Sequence, residues 1–595
     1  MTDTRFTRDA DFDAKELAWY KAVAKVFARV QKKDIADVPA DVWKKLIRTT
    51  YDGIDINPLY NRVDEGPETA IPGTFPYTRG GHQGLWGVTE SFDADSTNEE
   101  VHHALNFGTT NLVIHGDADL PTLLKGVLAA YAPIRLEAGK ATATQALKLY
   151  EWLGDVTPAY LELGAAPLTA AIDGQESIDL GETTDLAVAA HQRDNVRAIL
   201  VDGVSLSNQG ASDGQEIGFA LAAGLEYVRA LTEAGLSFAE ALGQISFRLA
   251  ISDDQFAQIA KLRAFRTLWA RVADILGEPL AGDAPVHALT APVMFSQRDP
   301  YVNMLRATVA TFAAGVGGAT DVEVLPFDSA IVGGLGNTSK AFKHRIARNT
   351  NLLLLEESHL GHVIDPAGGS YYVEKLTAEL AAKAWGHFQE VEAQGGFIDA
   401  TKSGFIRTQL DDMHEKVRND IAHRRKQVTA VNEFPNLSEA PLPAVQRVEP
   451  AGVKRWAAEF EALRNRSDAY VEEHGTRPAI TLIPLGPLAK HNVRTGFATN
   501  LLASGGIAAV NPGQLVPGTP EFSEAAAGMH IAVICGTDAE YDASGAAALQ
   551  ALKVVGVSEV YLAGSPGHDF EPDGYLNLKI NAAATLAQLL EKLGA

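Results

Sequence analysis

The sequence predicts an α/β protein in which a (β/α)8 (TIM) barrel is followed by a smaller doubly wound domain of the flavodoxin-like type. Strand-like apolar runs alternate with helical segments between residues 100 and 430, and again from residue 477 to the end. A proline-rich stretch separates the two regions. Such alternation favours parallel strands joined by helical crossovers, and a chain of 595 residues is too long for a single core.

Residues 49–430 are predicted to form the barrel. Between the strands lie helical segments such as QEIGFALAAGLEYVRALTEAG. Over a region of this length a closed barrel is the economical arrangement of alternating strands and helices. The predicted strands are NLVIHG at 111–116, PIRLEAG at 133–139, RAILVDGVSLS at 197–207, VHALTAP at 286–292 and DVEVLPFD at 321–328.

Residues 431–476 are predicted to form a linker, because NEFPNLSEAPLPAVQRVEPAG has four prolines and no apolar period. A helix from Trp456 to Arg464 follows. Residues 477–595 repeat the strand and helix alternation on a smaller scale, and a ligand of such a domain is expected at the carboxyl ends of its strands. Its predicted strands are AITLIPLG at 479–486, IAAVNPG at 507–513, HIAVICG at 530–536 and VSEVYLAG at 557–564.

Residues 1–48 are predicted to form a helical arm. Trp19, Val23, Phe27 and Val30 recur at three- and four-residue spacings, which indicates one apolar helix stripe. An amphipathic helix outside a compact domain must bury this stripe, either on its own barrel or on a second chain. The sequence leaves both possibilities open.

The composition indicates a soluble, cytoplasmic protein. The chain has 51 basic and 75 acidic residues, so its net charge of −24 opposes general attraction to nucleic acid or to an anionic membrane. Cys535 is the only cysteine and therefore forms no internal disulfide. No apolar run approaches the length of a membrane span.

The most informative stretch is Arg345 to Leu376, RIARNTNLLLLEESHLGHVIDPAGGSYYVEKL. It predicts a helix that is stopped at Asp365-Pro366, a glycine turn, and a new helix from Tyr371 to about Lys383. Its strings RIARNT and DPAGGSYYVE resemble the barrel of the cobalamin-dependent acyl-CoA mutases, the methylmalonyl-CoA mutase family. The segments TTYDGIDINPLYNR at 49–62 and PGTFPYTRGG at 72–81 resemble the same family.

The chain departs from this family at the positions that the resemblance makes catalytic. Catalytic chains continue the Arg-Gly pair as Pro-Tyr, with the tyrosine facing the substrate, whereas here Arg79-Gly80 is followed by Gly81-His82. The histidine that hydrogen-bonds the thioester corresponds to Ser205, which is shorter and does not titrate near neutrality. The resemblance therefore implies no catalytic residue in this chain, with His82 and Ser205 as replacements.

The cobalamin signature of the family, D-x-H-x-x-G, is also absent. If the histidine of the signature is aligned with His491, Ala489 stands at the aspartate position and Arg494 at the glycine position. An ungapped alignment instead places Lys490 at the histidine position. The serine-leucine element falls near Cys535-Gly536-Thr537 and the paired glycine near Ala563-Gly564. The resemblance thus implies no cobalamin on this chain.

These departures imply a non-catalytic chain that forms a heterodimer with a larger catalytic chain of the family, on which adenosylcobalamin is expected. Two alternatives remain: a self-sufficient cobalamin-dependent acyl-CoA mutase with unfamiliar ligands, and a regulatory chain whose barrel accepts an acyl-CoA. The basic residues Arg229, Lys261, Arg263 and Arg306 would contact coenzyme A phosphates in a functional barrel, or form helix-surface ion pairs.

Other chemistries lack support in the sequence. Ser370, His359 and Asp365 are close together, but no G-x-S-x-G elbow surrounds the serine. The pairs His102-His103 and His359 with His362 lack the spacing and third ligand of a zinc site, so no metal is expected. No nucleotide-binding glycine motif occurs either.

Overall fold

The computed structural model describes residues 8–81 and 85–595, and these divide into two compact units. The first unit contains Met1–Pro292, Arg306–Pro326 and Ser339–Met413. The second contains Val293–Leu305, Phe327–Thr338 and His414–Ala595. Residues 431–476 therefore belong to the second unit. None of the described helices is long and apolar enough to cross a membrane.

The first unit contains a closed barrel of eight parallel strands, which confirms the predicted fold class. Each strand pairs with the next one in the sequence, and the last strand pairs with the first. The two-residue strands β1 (Arg48–Thr49) and β2 (Asp55–Ile56) form a separate antiparallel pair. The barrel strands are β3 (Gly87–Phe92), β4 (Asn111–His115), β5 (Ile134–Glu137), β6 (Leu161–Ala165), β7 (Val196–Asp202), β8 (Ile245–Ile251), β9 (Val286–Thr290) and β10 (Asp321–Glu323).

Among the described residues, fifteen helices begin at or before residue 405. They are α1 (Ala10–Gln31), α2 (Asn98–Asn106), α3 (Leu120–Leu123), α4 (Thr142–Leu153), α5 (Pro167–Asp173), α6 (Leu180–Ala190), α7 (Gly203–Asn208), α8 (Asp213–Glu233), α9 (Phe238–Gly243), α10 (Gln255–Ile275), α11 (Asn303–Val316), α12 (Lys340–Leu352), α13 (Tyr371–Ala393), α14 (Phe397–Lys402) and α15 (Phe405–Ala422).

The sequence predicted five of the barrel strands and missed β3, β6 and β8. The missed strands direct polar side chains inward, including Thr89, Glu162 and Arg248, so their apolar runs are interrupted. The predicted strand 197–207 was too long, because residues from Gly203 onward form helix α7. Asp202 begins that helix by accepting a hydrogen bond from Val204 N at 3.1 Å.

The stretch around Asp365 has the predicted helix, turn and helix. Helix α12 passes into a π-helical turn over Leu353–Glu357, and Ser370 caps the start of α13. The end predicted for α13, near Lys383, was wrong, since the helix continues to Ala393. Asp365, at φ 50°, places its carboxylate against Arg263 and, at 2.9 Å, against Arg79 Nε. The turn is thus fixed by buried ion pairs.

Helix α1, of 22 residues, covers nearly half of the predicted arm of residues 1–48. Ala24 and Ala28 are buried, and Tyr20 stacks on Trp43 with ring centroids 5.4 Å apart. Of the predicted stripe, Trp19, Val23 and Phe27 are half-buried, and Val30 is 75% exposed. The predicted stripe is therefore only partly covered within this chain.

The second unit contains a parallel five-stranded sheet with helices on both faces. Its order, β12-β11-β13-β14-β15, is the 2-1-3-4-5 order of flavodoxin-like domains, which confirms the second part of the predicted fold. The helix predicted over 456–464 spans 458–474 instead. The strands are β11 (Ala479–Pro484), β12 (Ala508–Val510), β13 (Ile531–Cys535), β14 (Glu559–Leu562) and β15 (Gly574–Tyr575), and the helices are α16 (Ala458–His474), α17 (Leu488–Ser504), α18 (Pro520–Ala526), α19 (Asp538–Val554) and α20 (Ala582–Lys592).

A glycine substitution tests the close packing of α8 on α13. A Cβ on Gly218 would lie 2.6 Å from Ala384 O, whereas a Cβ on Gly386 of α13 would meet no atom within 4 Å. We expect Gly218→Ala to lower the free energy of unfolding by about 2 kcal/mol, and the control Gly386→Ala to raise it by about 0.5 kcal/mol. Urea unfolding followed by circular dichroism would measure both changes. Equal effects of the two variants would contradict the packing described here.

Candidate functional site

A cluster of charged side chains fills the amino-terminal part of the barrel interior. His287 on β9 lies between two carboxylates, with Nδ1 at 2.6 Å from Asp321 Oδ2 and Nε2 at 2.8 Å from Glu162 Oε2. Thr89 Oγ1 donates to Asp321 Oδ1 at 2.8 Å, and Ser246 Oγ donates to Glu162. All five side chains are buried. The interior of this barrel is therefore polar where apolar layers are usual.

The two carboxylates determine the protonation of His287. Burial alone would lower the pKa of this imidazole, but the negative charges of Asp321 and Glu162 outweigh burial and raise the pKa to about 9. Burial would likewise raise the pKa of Asp321, whereas the charge and hydrogen bond of His287 lower it to about 2. His287 is therefore a cation at neutral pH, and its ion pairs join β9 to the adjacent strand β10 and, across the barrel, to β6.

A second cluster contains three carboxylates on the last residues of barrel strands, Glu137, Asp202 and Glu323, and two arginines from within strands, Arg135 and Arg248. Arg248 binds Asp202 twice, with Nε at 3.0 Å and Nη2 at 2.6 Å, and its Nη1 contacts Glu137. Arg135 donates to Glu137 Oε1 and to Glu323 Oε2, both at 3.3 Å. Every carboxylate of this cluster thus has a guanidinium partner.

These side chains leave little free volume around them. The cavity bounded by Thr89, Asn111, Arg135, Tyr160 and His287 has a volume of about 10 Å³. That volume holds about one water molecule. An organic ligand does not fit in this part of the barrel without displacement of the ion pairs.

The two predicted replacement residues have different outcomes. His82 lies outside the described residues. Ser205 lies on α7 and is 1% exposed, and its Oγ donates to Asp202 Oδ2 at 3.3 Å. Because Asp202 also binds Arg248, the hydroxyl of Ser205 is part of the second charged cluster.

The basic residues of the family-like segments are all in ion pairs. Arg229 binds Glu392, Lys261 binds Glu216 at 2.6 Å, and Arg306 lies 4.0 Å from Asp253. Arg263 binds Asp365, and at 2.6 Å it contacts Glu374. The expected ion pairs are therefore present, although the prediction of a surface position was wrong for Lys261, Arg263 and Arg306, which are buried.

Tyr541 occupies the carboxyl ends of strands β13 and β14 in the second unit. Its hydroxyl accepts a hydrogen bond from Gly536 N at 2.9 Å and donates one to Ala563 O at 2.8 Å. A Cβ on Gly536 or on Gly564 would lie 3.2 Å from its ring. The space beside these two glycines is thus filled by the aromatic ring, which the sequence analysis did not single out.

The three residues placed on the cobalamin signature lie on helix α17. Ala489 is exposed, and Arg494 Nη2 donates to Asp538 Oδ1 at 3.3 Å. His491 is buried, its Nδ1 has no hydrogen-bond partner among the described residues, and burial lowers its pKa. No carboxylate is recorded beside His491 to orient its ring. Ala489, which stands at the aspartate position of the signature, has no polar side chain.

The remaining sequence candidates do not form a site in the part of the chain that the structure describes. Ser370 caps α13, Asp365 binds two arginines, and the ring of His359 stacks on that of His362 at 4.8 Å. No group of three or more metal-ligating side chains occurs among residues 8–81 and 85–595.

The protein has a parallel (β/α)8 barrel, a 2-1-3-4-5 α/β domain and family-like strings in the barrel. Together these features define its class as a mutase-type chain. Residues 171–475 match the family model described as methylmalonyl-CoA mutase. The chain is 45% identical to the "Probable methylmalonyl-CoA mutase small subunit" of Mycobacterium tuberculosis (strain ATCC 25618 / H37Rv), over 98% of this chain and 99% of the relative.

Two further relatives carry the same description without the word "probable". The chain is 41% identical to that of Streptomyces virginiae, over 100% of this chain and 99% of the relative. It is 35% identical to that of Propionibacterium freudenreichii subsp. shermanii, over 100% of this chain and 97% of the relative. The chain therefore belongs to the methylmalonyl-CoA mutase family.

The raised pKa of His287 predicts a pH-dependent stability. A histidine whose pKa is higher in the folded than in the unfolded chain stabilises the fold fully below its ordinary pKa of 6.5, and this contribution is lost as the pH rises through about 9. Between pH 6.5 and about 9, we expect the free energy of unfolding to fall more steeply with pH than that of His287→Gln. The two slopes should differ by up to about 1.4 kcal/mol per pH unit. Urea unfolding of both proteins at several pH values would measure this, and parallel profiles would contradict it.

Proposed function

We propose that this chain is the non-catalytic small subunit of a heterodimeric methylmalonyl-CoA mutase. Its partner, a large subunit of the same family, holds adenosylcobalamin and interconverts (R)-methylmalonyl-CoA and succinyl-CoA by a radical rearrangement. The chain stabilises that partner and contributes no reacting group. The observations that carry the proposal are the occupation of the strand ends of the second unit by Tyr541 and the ion pairs of His287 and Arg248 inside the barrel.

The residues at the sheet ends of the second unit do not fit a cobalamin. A cobalt-ligating histidine needs a carboxylate that holds its other ring nitrogen, and Ala489 offers none. His491 is buried within the fold, and Tyr541 fills the space beside Gly536 and Gly564. These observations support a degenerate cobalamin-type domain in residues 477–595 and a cofactor carried by the partner.

The barrel interior supports the absence of acyl-CoA turnover. Its charged clusters leave a cavity of about 10 Å³ near His287, and Ser205 is engaged by Asp202. Opening a path would leave buried charges without partners, at a cost of about 3–5 kcal/mol for each broken pair. This argues against both the self-sufficient mutase and the acyl-CoA-binding regulator.

The full-length relatives described as small subunits support the existence of a larger partner chain. Residues 1–48 are the proposed arm toward it, because Val26 and Val30 of helix α1 remain exposed. We assign the complex to the cytoplasm, where a chain whose only cysteine is the buried thiol Cys535 needs no oxidising environment.

The proposal is tested by purifying the chain alone and together with the large subunit from the same host. We expect the chain alone to show no cobalamin absorption after incubation with adenosylcobalamin and no mutase activity, and the complex to show both. His491→Gln in the complex should leave the cobalamin absorption unchanged. Cobalamin that remains on the isolated chain through gel filtration, or turnover by it, would refute the proposed role.

A double substitution tests the two positions that replace family catalytic residues. We expect the complex containing His82→Ala and Ser205→Ala to keep the kcat and KM of the unaltered complex, because the proposed role gives this chain no reacting group. Loss of the Ser205 hydroxyl should lower the free energy of unfolding by about 1 kcal/mol, since Asp202 loses one donor. A lower kcat with unchanged stability would instead indicate a catalytic role.

A further inference from the structure

A cavity of about 530 Å³ lies between helices α8, α10 and α13 of the first unit. Its floor is apolar and well packed: Val228 is 1% exposed, Val272 3% and Phe388 7%. None of the residues that line it lies on a strand, so the cavity is separate from the charged clusters of the barrel interior. The strand ends of the second unit do not contribute to it either.

Large apolar side chains at the edge of this cavity are in contact with solvent. Phe238, the first residue of α9, is 42% exposed, and Ile275, the last residue of α10, is 65% exposed. The half-buried ring of Trp385 lines the cavity beside them. Covering this edge with an apolar group would remove its surface from water, which is favourable. An apolar cavity of this size with a few polar groups at its edge has the usual form of a site for a small organic molecule.

Two helix ends give the cavity a negative partial charge. Helix α8 ends at Glu233 and helix α10 ends at Ile275, and both residues line the cavity. The carboxyl end of a helix dipole is negative and favours a cation beside it. The last turn of neither helix contains a basic residue. The partial charges of the two helix ends are therefore not offset by a cationic side chain of their own helix.

The charged side chains at the cavity add to this negative potential. Among the described residues that line it, only Arg229 is basic, and its guanidinium binds Glu392 and, at 3.2 Å, Glu226 Oε2. Two carboxylates thus share this one cation. Glu233 is exposed and has no ion-pair partner among the described residues. The polar side of the cavity therefore has an excess of negative charge.

We propose that this cavity binds a small organic cation, in which an apolar body of the size of a phenyl group carries a single ammonium group. The apolar body lies on the floor and against Phe238 and Ile275. The ammonium group meets Glu233 and the carboxyl ends of α8 and α10. A neutral molecule of the same shape gains the apolar contacts alone, and an anion is opposed by the charges that attract the cation.

Calorimetric titration of the purified full-length chain tests this inference. The probes are 2-phenylethylammonium, 2-phenylethanol and 3-phenylpropionate, which share a phenyl group on a two-carbon chain and differ in charge. We expect saturable binding of 2-phenylethylammonium, with a Kd about tenfold below that of the alcohol and lower still relative to that of the carboxylate. No saturable heat with the ammonium probe, or equal or tighter binding of either other probe, would overturn the proposal.

Exposed substitutions locate the binding in this cavity. Glu233→Gln should raise the Kd of 2-phenylethylammonium about fivefold and leave that of 2-phenylethanol unchanged, because it removes only a charge. Ile275→Gln should raise both Kd values, because it removes apolar surface. The matched controls are Glu151→Gln and Leu147→Gln at exposed positions of α4 outside the cavity lining, which should change neither Kd. Binding that is unaffected by both Glu233→Gln and Ile275→Gln would overturn the assignment. Thermal unfolding of each variant verifies that it is folded.

Two further measurements exclude a protein as the occupant of the cavity. We expect the Kd of 2-phenylethylammonium to be the same for the chain alone and for its complex with the large subunit. Loss of probe binding in the complex would instead assign the cavity to the large subunit. We also expect gel filtration to show no dimer of the chain that Ile275→Gln dissociates. Such a dimer would assign the apolar edge to a second copy, and either result would overturn the proposal.

Discussion

The pairing of buried charges inside the barrel is the constraint on which the first unit depends. Five carboxylates face three cations there: Asp202, Glu137, Glu162, Asp321 and Glu323 with Arg135, Arg248 and His287. Arg248 and His287 each bind carboxylates on two other strands, and Arg135 binds carboxylates on β10 and on its own strand. Closing eight strands brings these groups together in a space that excludes water. Once closed, the barrel retains its cations because removal of any one would leave an uncompensated carboxylate.

The same constraint links the fold to the proposed role. A barrel with apolar layers leaves no room for a ligand on its axis, and a barrel that accepts one needs small inward side chains. Here the inward positions hold long charged side chains such as Arg135 and Arg248. Their ion pairs stabilise the closed wall and occupy part of the barrel interior. The stability of the wall is thus connected with the proposed loss of chemistry.

The sequence was sufficient for the fold class because nine strand-like runs, five in the barrel and four in the second sheet, alternate with helical segments. It was insufficient for β3, β6 and β8, where Thr89, Glu162 and Arg248 interrupt the pattern. Those residues are polar because their partners lie on other strands, and such pairing is invisible in a linear sequence. For the same reason Tyr541 passed unnoticed: its two partners, Gly536 and Ala563, belong to different strand ends.

The second unit shows how little change separates a ligand-binding sheet from a filled one. Its strand order and both helical layers are those of a flavodoxin-like domain, with Gly536 and Gly564 still at the strand ends. One aromatic ring occupies the space that the two glycines leave, and its hydroxyl satisfies one donor and one acceptor of the backbone there. Because the backbone groups that would otherwise meet a ligand are already paired, the sheet end is stable without one. The glycines thus mark a shared fold, while the tyrosine determines what that fold can hold.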